Sequence, residues 1–393
     1  MRILSKLDQM INRTGTGAVK WDSLKEMFGV EDALPMWVAD MDFEAPNPVI
    51  EALKKQVEHG IFGYAAIPAS TKEAIKAWQA SRHNWKIETD WLLFNHGVVP
   101  SISLAIEALT EKGDAVIVQS PVYTPFFEMI ERNERQVVNN QLVLKDNRYQ
   151  VDFDDLEQKL SAEEVKLLLL CSPHNPGGRV WTKEELTKMA ALCQQHDVII
   201  VADEIHCDLT ADPHIHTPIA SIQEEYQDFI VTLIAPSKTF NLAGLQASAI
   251  IVPSEVLRNK LKTVQAKRGF FTLNMMGITA MEAAYREGGP WLDEAIAYIR
   301  ENIQLVEHYI RSEIPELNVM KPEGSYLIWI DCRKLELADD ELMNKILHDG
   351  KLALGQGFKY RAGGEGFLRM NVACPRVIVE DGLKRLKKAI KGE

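Results

Sequence analysis

A chain of 393 residues exceeds what one hydrophobic core usually supports, so at least two lobes are predicted. The apolar share of 46% and the charged share of 25% match an ordinary globular protein and exclude a disordered one. A formal net charge of −12 argues against nucleic acid or an anionic membrane surface as partner and leaves small metabolites.

The opening residues, MRILSKLDQMINRTG, lack an apolar signal core, and no uncharged apolar run reaches membrane-spanning length, so a cytoplasmic protein is expected. The strip Leu34 to Phe43, LPMWVADMDF, is apolar with two acids. It reads as a docked N-terminal arm, as a strand of the smaller lobe, or as both together. From Asn47 to Glu58 a proline near the start and apolar residues at Val49, Ile50, Leu53 and Val57 predict a helix that stops before Gly60. A second helix is predicted over Ser70 to Asn84, a short strand over Trp91 to Phe94, and a helix through SISLAIEALT after Gly97.

The period then switches repeatedly. Strands are predicted at Ala115–Val118, Lys166–Cys171, Val198–Ala202 and Ile230–Ile234, with helices at Thr124–Arg132 and Thr182–His196. Thr182 and Glu185 form a capping-box pattern at the start of the latter. Wholly apolar strands alternating with helices predict parallel pairing with both sheet faces covered, a doubly wound sheet over roughly Pro48 to Tyr285. After Gly288-Gly-Pro290 a long amphipathic helix, Trp291 to Glu313, leads to a smaller α+β lobe with strands at Tyr326–Ile330 and Gly366–Asn371 and a closing helix from Val377 to Ile390. Five scattered cysteines without a CxxC pair suggest neither a disulfide framework nor a zinc site, and fit a reducing compartment.

Three polar residues follow apolar strands: Asn175 in CSPHNPGGRVW, Asp203 in VIIVADEIHCD and Lys238 in FIVTLIAPSKTF. In α/β sheets ligands gather beyond such strand ends, and a lysine partly withdrawn from water there acquires the lowered pKa that carbonyl chemistry requires. Read alone, Lys238 fits a solvated loop residue better, because most lysines lie on the surface. A carboxylate such as Asp203 serves as a metal ligand, a base, or the counter-ion of a protonated ring nitrogen, and a nearby lysine favours the third role. Gly97-Val98-Val99 ahead of a helix offers backbone N–H groups to a phosphate, or is only a turn. Tyr123 in SPVYTPF could stack on a planar group or pack in the core. Arg369 could pair bidentately with a substrate carboxylate or form a surface ion pair.

The ordered set GYAAIP, HGVVPS, SPVYTPF, SPHNPGGRVW, ADEIHCD, APSKTFNLAGLQ and FLRMNVACPR resembles the fold-type I pyridoxal 5′-phosphate (PLP) enzymes along nearly the whole chain. It is most similar to the cystathionine β-lyase branch called MalY/PatB-like, of which the strip WVADMDF is also typical. The resemblance implies an α/β fold with an arm and part of a small domain in residues 1–47, a large, mostly parallel doubly wound domain in 48–287 and a small α+β domain in 288–393. It implies PLP on Lys238, Asp203 at the pyridine nitrogen, Tyr123 on the ring, and Asn175 at the phenolic oxygen and the substrate. Val98, Val99 and Ser237 are implied at the phosphate and Arg369 at the substrate carboxylate. Tyr64 would reach the cofactor of a second subunit, so a homodimer with shared active sites is implied. Two positions depart from the aminotransferase pattern: His206 stands where a tyrosine is common, at the cofactor, and Gln246 where an arginine is common. Both favour β-elimination from a cysteine S-conjugate over the alternative, transfer of an amino group to a 2-oxo acid. A PLP-binding regulator with a DNA-binding domain is disfavoured, because the chain opens almost directly with the arm and is acidic. A nucleotide-binding protein is disfavoured because GxGxxG and GxxxxGKS are both missing.

Overall fold

The computed structural model describes residues 5–210 and 212–392; residues 1–4, where the stretch read for a leader begins, lie outside them. Strand β1 (Leu34–Pro35) belongs to the N-terminal strip. The larger sheet is built from β2 (Leu92–Asn95), β3 (Ala115–Val118) and β4 (Gln136–Asn139), then, after a hairpin of β5 (Val143–Lys145) and β6 (Arg148–Gln150), from β7 (Val165–Cys171), β8 (Ile199–Asp203), β9 (Ile230–Ile234) and β10 (Ser248–Ile251). Its spatial order is β2-β10-β9-β8-β7-β3-β4.

The pairings from β4 through β9 are parallel, as expected from strands separated by helices. The remaining two are not. β10 runs antiparallel to both β9 and β2, so the sheet is mixed rather than uniformly parallel. Between β9 and β10 the chain makes only the short helix Pro236–Thr239 and a 3-10 turn, without a helix long enough to carry it back across the sheet.

The continuous apolar runs follow from burial on two faces. Ala115, Ile117, Leu168 and Leu170 pack into one cluster, whereas their neighbours Val116, Val118, Leu167 and Leu169 pack into the other. Each such leucine contributes about 2 kcal/mol by leaving water. The helix Lys183–Gln195 starts at the expected capping box: Glu185 N donates to Thr182 Oγ1 at 3.2 Å and Thr182 N donates to Glu185 Oε2 at 2.8 Å. Gly288 separates the helices Met275–Glu287 and Gly289–Glu313. It must be bare, since a Cβ there would lie 2.5 Å from both Ala284 O and Phe240 Cε1.

The second sheet comprises β11 (Asn318–Met320), β12 (Leu327–Asp331), β14 (Gly355–Gln356) and β15 (Phe367–Asn371) in the order β11-β12-β15-β14. β13 (Leu352–Ala353) instead pairs in parallel with β1, so the N-terminal strip is both an arm and a strand. Asn302 on the long helix donates to Val372 O and Cys374 O at 3.0 and 2.9 Å, fixing the helix to the chain just past β15. Among the described residues no helix is long and apolar enough to cross a membrane.

Candidate active site

The ends of β7, β8 and β9, the start of the helix Val98–Leu109, the strip around Trp37 and strand β15 enclose a cavity of about 460 Å³. Asn175, Asp203, His206, Ser237, Lys238, Tyr123, Val98, Val99, Arg369 and Gln246 all line it. Tyr64 does not. Its side chain is 98% exposed on a segment without regular structure, with only an edge contact to Phe271 at 6.0 Å between ring centroids.

Lys238 sits in the first turn after β9, partly exposed, with its amine toward the cavity. Nζ donates to the carbonyl of Ala39 at 2.6 Å. Withdrawal from bulk water and then the nearby Arg369 guanidinium bring its pKa down to about 8, against the pull of Asp40 and Asp203. Asp203 ends β8 and is 3% exposed. Burial pushes its carboxyl up to about 7, although Oδ1 accepts from Ile205 N at 3.1 Å and Lys238 favours the charged form. His206 is buried, held down to about 3 by desolvation and then by Lys238 and Arg369, so its ring is neutral. Burial likewise pushes the Tyr123 phenol up to about 12, keeping it protonated.

These residues are held from behind. Glu204 accepts from His216 Nε2 at 3.0 Å and from Ile219 N at 3.1 Å. Asp208, buried, accepts from Trp78 Nε1, His83 Nε2 and Thr239 Oγ1 at 2.9, 2.8 and 2.8 Å, joining the loop after β8 to the turn carrying Lys238. Asn175 is placed by the tight turn that follows. There Gly178 has φ +67° and a Cβ would meet Pro322 Cβ at 2.7 Å, while the buried Arg179 reaches Glu185 and Glu323 at 2.7 and 3.2 Å. Arg369 Nη1 donates to Asn175 Oδ1 at 3.2 Å and Nη2 to Trp37 O at 2.7 Å. Its guanidinium lies over the Tyr360 ring, 5.4 Å from the centroid.

The helix Val98–Leu109 has Gly97 as N-cap, with φ +133° and no side-chain cap, which leaves its first N–H groups open to an anion. The arm was not legible as part of the site in this detail. Its main-chain carbonyls at Trp37 and Ala39 hold the arginine and the lysine. Two asparagines lace it down: Asn371 Nδ2 donates to Val38 O and Asp40 O at 2.6 Å each, and Asn241 binds Met41 N, Met41 O and Phe43 O at 2.9 Å. Asn371, ending strand β15, and Asn241, in the motif after Lys238, were the available signal.

The profile of the aminotransferase class I and II family matches residues 32–386. The chain belongs to that family. Within it, the chain is 50% identical over 383 residues to cystathionine beta-lyase PatB of Bacillus subtilis, covering 98% of this chain and 99% of that protein. It is 33% identical to protein MalY of Escherichia coli, over 98% of each. The crystal structure of cystalysin from Treponema denticola, which contains a pyridoxal 5′-phosphate cofactor, superposes with a TM-score of 0.96 at 36% identity, covering 99% of this chain and all of that one. In this family member His206 keeps its place on the cavity wall, edge-on to Tyr326 at 6.0 Å, and Gln246 lies exposed at the rim.

Proposed function

We propose that this chain is a PLP-dependent carbon–sulfur lyase that cleaves L-cystathionine or a related cysteine S-conjugate by β-elimination, giving a thiol, pyruvate and ammonia. From cystathionine the thiol is homocysteine. The observation that carries the proposal is Lys238, an amine lowered to about 8 in the same cavity as the buried carboxyl of Asp203. The full-length likeness agrees in kind, since the Bacillus relative is named as a cystathionine β-lyase.

The residues fit the cofactor. Asp203, buried without a side-chain cation bonded to it, suits a protonated ring nitrogen, which would offset the cost of its burial. On the cavity wall, His206 Nδ1 and Arg369 Nε are buried polar atoms without a partner among the described residues. The uncapped N–H groups at Val98 and Val99, with Ser237, suit the phosphate. Asn175 suits the phenolic oxygen, Tyr123 the ring face, and Lys238 the aldehyde.

PLP, when bound, supplies an electron sink for the pair left when the Cα–H bond breaks. Arg369 and Asn175 orient the substrate carboxylate, with Tyr360 packed under the guanidinium. Lys238 Nζ, as the free amine, takes the Cα proton; the Cβ–S bond breaks and the sulfur leaves as thiolate. Water then yields pyruvate and ammonia. The arm and Tyr123 restrict solvent at the reacting carbon.

In this proposal residues 1–47 form the arm and part of the small domain, 48–287 the cofactor domain and 288–393 the small domain. The pairing of β1 with β13 supports the first assignment. Exposed Ile61, Phe62, Tyr64 and Phe271 form an apolar patch suited to a second copy, which supports a homodimer with Tyr64 reaching across. The acidic composition and five buried thiols support a cytoplasmic setting. The test follows thiol and pyruvate release from L-cystathionine with and without a 2-oxo acid. Release of both without the acceptor is expected, and a strict need for the acceptor would replace elimination with amino transfer.

A further inference from the structure

The carbonyl of Ala39 accepts two donors. One is Lys238 Nζ at 2.6 Å; the other is the hydroxyl of Tyr326 at 3.1 Å. Tyr326 is fully buried immediately before β12, and its backbone carbonyl accepts from Val372 N at 3.0 Å just past the strand that carries Arg369. Ala39 itself is held in place, because Asn371 binds the carbonyls on either side of it, at Val38 and Asp40. The lysine of the larger sheet and a tyrosine of the smaller one therefore meet on one fixed oxygen of the arm.

We infer that Tyr326 is a positioning residue that sets the orientation and base strength of Lys238 through the shared Ala39 carbonyl. The inference rests on Lys238 acting as the base. A carbonyl oxygen that already accepts a hydroxyl has less negative charge to offer a second donor. An ammonium depends on that charge more than a neutral amine does, so the Tyr326 hydroxyl favours the unprotonated, proton-accepting form. The same bond fixes the oxygen laterally, so that one N–H of Lys238 is held on the arm and the amine lone pair stays on the cavity side.

Charged groups act on Lys238 as well, but none of them touches the Ala39 oxygen. Arg369 lowers the pKa of Lys238, and Asp40 and Asp203 raise it. Asp40 is committed to Arg13 at 2.6 Å and lies 3.7 Å from the buried Lys20, while Arg369 is committed to Asn175 and Trp37. Around Tyr326 the charged groups are again Asp40 and Arg369, and the His206 ring facing it is neutral. Burial raises the Tyr326 phenol well above its ordinary value, so it stays a donor across the working pH range.

The experiment measures the pKa of Lys238 directly in the full-length, cofactor-free protein, by labelling with acetic anhydride across pH and reading the Lys238 peptide by mass spectrometry. Tyr326→Phe removes only the hydroxyl and should raise that pKa by about half to one pH unit. Replacing the tyrosines with 3-fluorotyrosine, a stronger donor, should lower it. Thermal unfolding of each protein confirms that the fold is kept. With PLP loaded, the acid limb of kcat for Tyr326→Phe should move to higher pH by a similar amount. An unchanged or lowered pKa in Tyr326→Phe, or shifts of the same sign in both proteins, would overturn the inference. The labelling results do not depend on turnover, so the failure of the proposed reaction would be seen separately, as retained activity in Lys238→Ala.

Discussion

Asp203→Asn should stabilise the cofactor-free protein at alkaline pH while weakening its hold on the cofactor. Asp203 is 3% exposed, and its carboxyl moves from 3.8 up to about 7, with burial as the main cause and Glu204 adding to it. A group whose pKa is raised by folding keeps its stabilising contribution below the unfolded value and loses it as pH climbs through the folded value. The window here runs from about pH 4 to about pH 7. Three units at about 1.36 kcal/mol each amount to at most about 4 kcal/mol lost by pH 8. Asparagine has the same shape and no charge to desolvate, so it escapes the loss. For a chain of this length that corresponds to roughly 5 °C in the unfolding midpoint. The assay is thermal unfolding of cofactor-free wild type and variant at pH 5 and pH 8. The variant should gain clearly more at pH 8 than at pH 5. Saturating PLP should then raise the wild-type midpoint more than that of the variant, because only the aspartate can pair with a protonated ring. A variant less stable than wild type at pH 8, or a gap that ignores pH, would refute the reasoning.

Arg369→Lys keeps the charge but loses the planar fork that reaches Asn175 and Trp37 together and lies over Tyr360. Its kcat/KM should fall by about 30- to 150-fold, a cost of about 2 to 3 kcal/mol, measured by steady-state kinetics on cystathionine. Retention of activity within a factor of three would mean that the substrate carboxylate binds elsewhere. Asp42→Asn breaks a buried pair: Asp42 accepts from Lys20 Nζ at 2.5 Å, Arg13 Nη1 at 2.6 Å and Trp21 Nε1 at 3.0 Å, and Lys20 is 1% exposed. Lys20 then keeps only the looser contact to Asp40 at 3.7 Å, and breaking a buried pair costs up to about 3 to 5 kcal/mol, so arm protection in hydrogen exchange should drop sharply. Unchanged exchange over residues 13–43 would show that the arm is held without this pair.

The strand Ile230–Ile234 and the polar ends of β7, β8 and β9 were readable because burial on both faces writes itself as an unbroken apolar run. Lys238, Asp203 and Asn175 then fell on the same edge of the sheet by topology alone. The antiparallel β10 was not readable, since its direction depends on the short connection from β9 and not on its own composition. The arm's contribution was hidden for a different reason. It acts through backbone carbonyls at Trp37 and Ala39, and any residue type supplies a carbonyl. Asp208 lay within a motif already picked out, yet its three donors come from Trp78, His83 and Thr239, residues distant in sequence. Tyr64 was assigned across a subunit boundary, and one chain leaves it on the surface.

The most direct measurement compares PLP-loaded wild type with Lys238→Ala on L-cystathionine without any oxo acid, counting thiol, pyruvate and ammonia together. Wild type should release the three in equal amounts, and Lys238→Ala should release none above background while keeping its fold. Equal release by the variant would contradict the role given to Lys238, and with it the proposed elimination.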